Sequence, residues 1–383
     1  LNEQRWLSQN YFVFFITWGV FLPYWTGWLV QAKGMDVTEA SLIMGFGLVA
    51  RGASTLFGFP VLYKYWSSHR VILFLTLMSL AATVLYIPSS SFSILLFVTI
   101  VFNAVYPALL PAIESAAGVL VQQGNVHYGK SRLYGSVGFV VSVFIISLIT
   151  GLWGEQAILW SMVVGLSFVL IMSRLPTPAV LMDKPEMKNP KETRSARGLW
   201  KVKSFPVVLL VVVLLQGAHA SYYNYGYIYL QELDVSTYYI GIILNVAVIF
   251  EIFYFAKADH WCKNLRTSSL LLIAAAGSTL RWLLAFAIPN VWVFILSQSL
   301  HAVSFGVAHF AFIRYVTDHL PKQQIPNAQG IYSALALSWS TAVLTVAGGF
   351  LYDISPGLSF LGMCAFTVPA LLIIFVTRKR FSY

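Results

Sequence analysis

Tyr11-Phe-Val-Phe-Phe-Ile-Thr-Trp-Gly-Val20-Phe-Leu-Pro-Tyr-Trp25-Thr-Gly-Trp28-Leu-Val30 is an uncharged, predominantly apolar run of twenty residues. Coiled as a helix it covers about 30 Å, the thickness of a bilayer's hydrocarbon core. No cleavable leader pattern precedes Arg5, so the run is expected to be kept as a spanning helix. Runs of the same kind recur along all 383 residues, of which 58% are hydrophobic and only 10% charged. Soluble domains carry about 25% charged residues, and a water-soluble fold has no interior large enough to hide this much apolar surface.

Reading apolar runs between polar or Pro/Gly breaks predicts spans at about 6–31, 38–62, 69–88, 91–120, 131–153 and 156–175. After a hydrophilic stretch come about 204–231, 236–258, 266–288, 290–317, 326–352 and 356–377. The expected fold class is therefore an all-α polytopic membrane protein with twelve helices in two pseudo-symmetric six-helix bundles, 1–175 and 204–383. The stretch 176–203 carries Lys184, Lys188, Lys191, Arg194, Arg197, Lys201 and Lys203 with several prolines, and reads as a basic linker.

Positive charge stays on the cytoplasmic side of short loops. With both termini placed inside, all but three of the 24 Lys and Arg fall in cytoplasmic loops, termini or adjoining turns; the exceptions are Lys33, Arg51 and Arg281. Shifting the count by one helix destroys this asymmetry. Topology thus accounts for most of the net charge of +10, with attraction to anionic membrane lipid as a by-product and no call for nucleic acid. The expected location is a bacterial cytoplasmic (inner) membrane, and the expected oligomeric state a monomer. Two bundles joined by a linker are the layout of many secondary carriers, whose solute site lies near the bilayer midplane.

Charge inside hydrocarbon costs at least about 2.5 kcal/mol, so each instance requires a partner or water. The candidates are Arg51, Glu114, Arg132, His219, Glu251, Arg281, His301 and His309. Helix ends that let a side chain snorkel are the alternative for Arg132 and Arg314. Helix 4 adds Asn103 with Pro107 and Pro111, which free backbone carbonyls or simply kink the helix. Helix 7 holds Gln216-Gly-Ala-His219-Ala-Ser-Tyr222-Tyr223-Asn-Tyr225, too polar to face lipid on every side. No nucleophile, base and orienting group stand at a recognisable spacing, and no phosphate-binding glycine loop follows a strand. An enzyme is not expected, nor a cofactor or a metal. The two cysteines, Cys262 and Cys364, fit no metal or disulfide spacing and read as packing residues.

Tyr128-Gly-Lys130-Ser-Arg132-Leu-Tyr-Gly135-Ser-Val-Gly-Phe139 resembles the fifth helix of the lactose-permease-like branch of the major facilitator superfamily. Gly19-Val-Phe-Leu-Pro23-Tyr-Trp25-Thr-Gly-Trp28-Leu resembles its first helix. Nearly the whole chain is similar to the bacterial 3-phenylpropionate transporter group, whose helix-7 pattern stands here as Gln216 to Tyr223 and whose Leu-Val-Ala-Arg stands as Leu48 to Arg51. The resemblance implies that Glu114 and Arg132 form a substrate-holding pair, that Phe139 packs on the solute, and that Arg281 and His301 occupy the proton site. It also shows departures. The permease's proton-accepting glutamate is Ser304 here, its two helix-7 aspartates are Tyr223 and Gly226, and a helix-10 lysine is Gln298. Helix 11, Gln329 to Phe350, has no lysine. Partners of internal ion pairs have been exchanged together, as expected where an unpaired buried charge is intolerable. At Tyr63-Lys-Tyr-Trp-Ser-Ser-His69-Arg70 the superfamily's gating aspartate is missing, so no gating role is implied.

The expected function is proton-coupled symport of a small aromatic carboxylate such as 3-phenylpropionate. Arg132 and Arg281 would hold the carboxylate, and Trp25, Phe139, Tyr222 and Tyr223 the ring, with Gln216, Glu114 and His301 as further solute contacts. The coupling proton is assigned first to Glu251, exchanging between the proton and Arg132, then to Glu114, with His219 or His301 assisting. Arg51, Asn103 and His309 are the other buried polar positions. Symport of a sugar or nucleoside, or a nontransporting sensor on the same scaffold, are the alternatives.

Overall fold

A computed structural model describes residues 2–123, 126–183, 196–321, 324–381 and 383. Twelve helices are long and apolar enough to cross a membrane. They are helix 1 (Glu3–Gln31), helix 2 (Val37–Tyr65), helix 3 (Ser68–Leu85), helix 4 (Phe92–Gln122), helix 5 (Tyr128–Trp153) and helix 6 (Gln156–Arg174). Helix 7 (Phe205–Glu232), helix 8 (Thr237–Cys262), helix 9 (Thr267–Ala287), helix 10 (Val291–His319), helix 11 (Ile325–Ile354) and helix 12 (Pro356–Thr377) follow. The described residues contain no strand. The fold is all-α, twelve helices in two six-helix bundles. The expected spans match within a few residues; the largest gap is at helix 8, which continues through Lys257 and Asp259 to Cys262 because a polar helix end still satisfies its own backbone.

Two compact units emerge, Leu1–Met187 with Ser236–Ile242, and Lys188–Val235 with Ile243–Tyr383. Of the basic linker, Lys184, Lys188, Lys191 and Arg194 lie outside the described residues, which resume with a short turn at Ala196–Lys201.

Local chemistry sets the helix starts. Asn2 accepts the Gln4 N–H at 2.9 Å to open helix 1. Asp36 accepts the Glu39 N–H at 2.6 Å while Glu39 accepts the Asp36 N–H at 3.1 Å, a reciprocal cap on helix 2. Several helices are interrupted. Pro107 breaks helix 4 between Val105 and Leu109, since it lacks the N–H that the Asn103 carbonyl would accept. Helix 7 breaks between Gly217 and Ala220 without a proline, where the His219 N–H bonds back to Gln216 O at 3.2 Å and tightens the turn. Helices 2, 10 and 11 carry widened π turns at Ser54–Gly58, Ala302–Val307 and Leu335–Trp339.

In the N-terminal unit the interior is aromatic: Phe14, Trp18, Phe21, Trp25 and Trp28 of helix 1 pack against Tyr86, Phe102 and Tyr106. Helix 1 meets helix 5 closely enough that a Cβ on Gly138 would sit 2.5 Å from the Phe12 carbonyl oxygen. The C-terminal unit has a largely aliphatic core that includes Val208, Leu215, Leu271 and Ile374, with Phe312 among them. Cys262 and Cys364 are free and buried.

Gly138→Ala is expected to lower stability by about 1–3 kcal/mol, because the obstacle is backbone and not a movable side chain. Gly118→Ala, exposed in helix 4 with open space around its Cβ position, should be neutral or raise stability by up to about 1 kcal/mol. Thermal unfolding of the two variants in the same detergent checks the contrast.

Candidate functional site

The centre of the C-terminal unit is Arg281 of helix 9, fully buried. One terminal nitrogen, Nη2, donates to Gln298 Oε1 at 2.9 Å, and Nη1 donates to His301 Nδ1 at 2.8 Å and to Ser304 Oγ at 3.3 Å. Its guanidinium also lies over the rings of Tyr222 and Trp282, at 4.6 and 4.5 Å. An arginine only donates, so His301 Nδ1 accepts, and the neutral ring carries its hydrogen on Nε2. That nitrogen stands 3.2 Å from Glu251 Oε2 of helix 8. By the same reasoning His219 Nδ1, 3.0 Å from the Leu215 carbonyl, is the donor there. Its Nε2 then accepts the Ser304 hydroxyl at 3.0 Å. The result is one connected chain, Glu251 to His301 to Arg281 to Ser304 to His219, linking helices 7, 8, 9 and 10.

Position along the helices explains the convergence. The break at His219 turns that side chain toward helix 10, and the π turn that follows His301 carries Ser304 on the same inner face. Tyr222 and Tyr223 border the chain, with ring centres 5.6 and 6.2 Å from His301. Glu251 is the accessible end, its side chain 24% exposed against 4% for His301.

A second constellation lies in the N-terminal unit. Arg132 Nε is 3.5 Å from Glu114 Oε1, each side chain about one-third exposed. The Tyr128 hydroxyl donates to Glu114 Oε2 at 2.9 Å, and the Arg132 guanidinium lies over Phe15 at 4.4 Å and Tyr11 at 5.7 Å. Arg51, half-buried, lies 5.1 Å over Trp18. Phe139 is half-buried two turns beyond Arg132.

The remaining expected residues are placed as follows. Trp25 is fully buried, 4.7 Å from Trp28 and stacked on Phe102 at 5.9 Å, so its indole packs the unit's interior. Gln216 is buried and donates to the Tyr332 hydroxyl at 3.0 Å, and that hydroxyl also meets His309 Nδ1 at 2.9 Å. Gln216 and His309 thus form a bond chain of their own around Tyr332. Asn103, also buried, donates to Thr99 O at 3.1 Å and fills the space above Gly47, where a Cβ would come within 2.7 Å of its Nδ2. Glu251 pairs with His301, and Glu114 with Arg132. Among the described residues no three His, Cys, Asp or Glu side chains gather as metal ligands.

The MFS_1 like family model matches residues 4–361. The chain belongs to the MFS_1 like family. An Escherichia coli (strain K12) protein named "Probable 3-phenylpropionic acid transporter" is 31% identical over 379 residues, 97% of this chain and 96% of that protein. The maltose permease of Geobacillus stearothermophilus is 25% identical over 378 residues, 97% and 93% of the two chains. The crystal structure of the nucleoside transporter NupG superposes with a TM-score of 0.82 at 16% identity, covering 100% of both chains, which speaks to the fold. This member of the family is a transporter of the major facilitator type and a multi-pass inner-membrane protein.

Sequence reasoning missed Tyr332, Tyr11, Phe15 and Tyr128 as partners, and treated Ser304 and Gln298 only as departures. In the transporter they are the acceptors that hold Arg281. The departures themselves were the available signal: two polar, uncharged residues retained on the helix that carries His301.

Arg281→Lys, which cannot reach Gln298, His301 and Ser304 together, should cost about 1–3 kcal/mol of stability. Arg132→Lys, in a pair open to solvent, should cost under about 1 kcal/mol. Unfolding midpoints of the two purified variants test the ranking.

Proposed function

We propose that the chain is a proton-coupled symporter of a small aromatic carboxylate, of the size of 3-phenylpropionate, working by alternating access in a bacterial inner membrane with both termini cytoplasmic. The observation that carries this reading is that Arg51, Arg132 and Arg281 each lie over aromatic rings, at 4.4 to 5.7 Å. A guanidinium on a ring face offers a carboxylate its donors and an aryl group a stacking partner in one place. Arg132 is the arginine within reach of a solute, since Arg281 is buried and its terminal nitrogens are engaged. Tyr222, Tyr223 and Phe139 remain ring partners under this reading. The name of the E. coli relative points the same way.

Glu251 carries the proton. With its charge, it holds the His301 Nε2–H; once protonated, that bond weakens and the carrier has one more net positive charge, which favours uptake of an anionic solute. Solute and proton then travel together. An inward gradient of about one pH unit, worth about 1.4 kcal/mol, supports up to about tenfold accumulation for each proton carried.

A second reading, sugar or nucleoside symport, draws on the Glu114–Arg132 pair, whose free lone pairs and N–H groups also suit hydroxyls, and on the maltose permease relative.

In proteoliposomes, labelled 3-phenylpropionate should accumulate under an inward proton gradient and be displaced by unlabelled aromatic acid but not by maltose or a nucleoside; the opposite displacement pattern selects the second reading. Glu251→Gln should abolish gradient-driven accumulation while leaving solute exchange within about twofold of wild type. Unchanged accumulation in that variant removes Glu251 from the coupling role.

A further inference from the structure

At the end of the N-terminal unit where helices 1 and 5 begin and helix 6 ends lies a cavity of about 560 Å³. Arg5, Lys130 and Gln9 supply its polar wall, and Phe12, Tyr134 and Met172 line it on the apolar side. Neither the solute reading nor the proton chain uses any of these residues.

Three features define what the cavity fits. Its charge is of one sign: Arg5 and Lys130 are exposed, form no ion pair among the described residues, and no Asp or Glu lines the cavity. Its depth is that of the membrane boundary, because Arg5 and Lys130 are each the third residue of their helix and Met172 lies two residues before the end of helix 6. Each is thus about 3 Å of helix rise from a span end. Its apolar side, at Met172, adjoins an exposed apolar stripe of helix 6. Trp160, Val164, Phe168 and Ile171, spaced four, four and three residues apart on helix 6, are all more than half exposed and lead to Met172. In a spanning helix such a stripe meets acyl chains.

We propose that this cavity binds the headgroup of an anionic phospholipid, its phosphate held by Arg5 and Lys130 and an acyl chain lying along the helix-6 stripe. Free phosphate satisfies the two cations but has nothing to place on the stripe. A zwitterionic lipid satisfies the stripe but brings its own ammonium into a cavity that already holds two cations. Bound there, one lipid bridges helices 1, 5 and 6 and stabilises the unit in proportion to its occupancy.

The test uses the full chain, delipidated in detergent, with thermal unfolding followed while phosphatidylglycerol, phosphatidylcholine or inorganic phosphate is added, and with native mass spectrometry counting retained lipid. Phosphatidylglycerol should raise the midpoint saturably, and its apparent affinity should fall on the order of 30-fold in Arg5→Gln/Lys130→Gln, from about 1 kcal/mol per cation. Gln9→Glu, which places an acid in the cavity, should weaken it in the same direction, while Lys257→Gln/Lys379→Gln, exposed cations elsewhere, should leave it unchanged. An equal response to phosphatidylcholine, a full response to phosphate alone, or a phosphatidylglycerol response that survives the double substitution would overturn the assignment.

Discussion

Arg281 holds a guanidinium in the middle of a membrane-spanning helix with none of its surface exposed. Such a charge survives only if the surrounding helices bring it acceptors, and helix 10 brings three: Gln298, His301 and Ser304. Much of the C-terminal unit's interior follows from that demand. His301 must turn its lone pair toward Arg281, which leaves its N–H for Glu251 on helix 8. Ser304, accepting from Arg281, is free to donate to His219 on helix 7. The rings of Tyr222 and Trp282 cover the faces of the guanidinium that hydrogen bonds leave open. Four helices are thereby referenced to one side chain.

The N-terminal unit meets the same constraint less tightly. Arg132 and Glu114 are about one-third exposed, so water shares the work of solvating them, and the aromatic faces of Tyr11 and Phe15 take part of the cation's field. Its stability rests on the aromatic interior of helix 1 and on small residues such as Gly138 that allow helices 1 and 5 to approach. One unit thus encloses its charge in a closed network, and the other leaves its charge partly exposed.

The irregular turns coincide with the chemistry. Helix 7 breaks at His219, helix 10 widens directly after His301, and helix 4 breaks at Pro107, seven residues before Glu114. Only the last has a proline behind it. The other two occur where a side chain must leave the regular helical direction to reach Ser304 or Arg281, and the backbone groups they release remain within the protein, where non-helical backbone is tolerated at membrane depth.

The twelve spans and their ends were legible in the sequence because the bilayer acts on length and apolarity, properties that each run carries by itself. The charged residues inside those runs were legible for the same reason, and Glu251, Arg281, His301 and His219 stand out as positions that demand partners. Beyond the Arg281–His301 association that the resemblance implied, who those partners are was not. Ser304 and Gln298 look like lost charges when read along the chain, and only the packing of helix 10 against helix 9 makes them the acceptors for Arg281. That Trp25 packs in the Trp28–Phe102–Tyr86 cluster and that Gln216 is bonded to Tyr332 were equally invisible along the chain. Apolarity determined that each helix crosses; which face of a crossing helix meets which neighbour depends on side chains that lie far apart in sequence, and that pairing exists only in three dimensions.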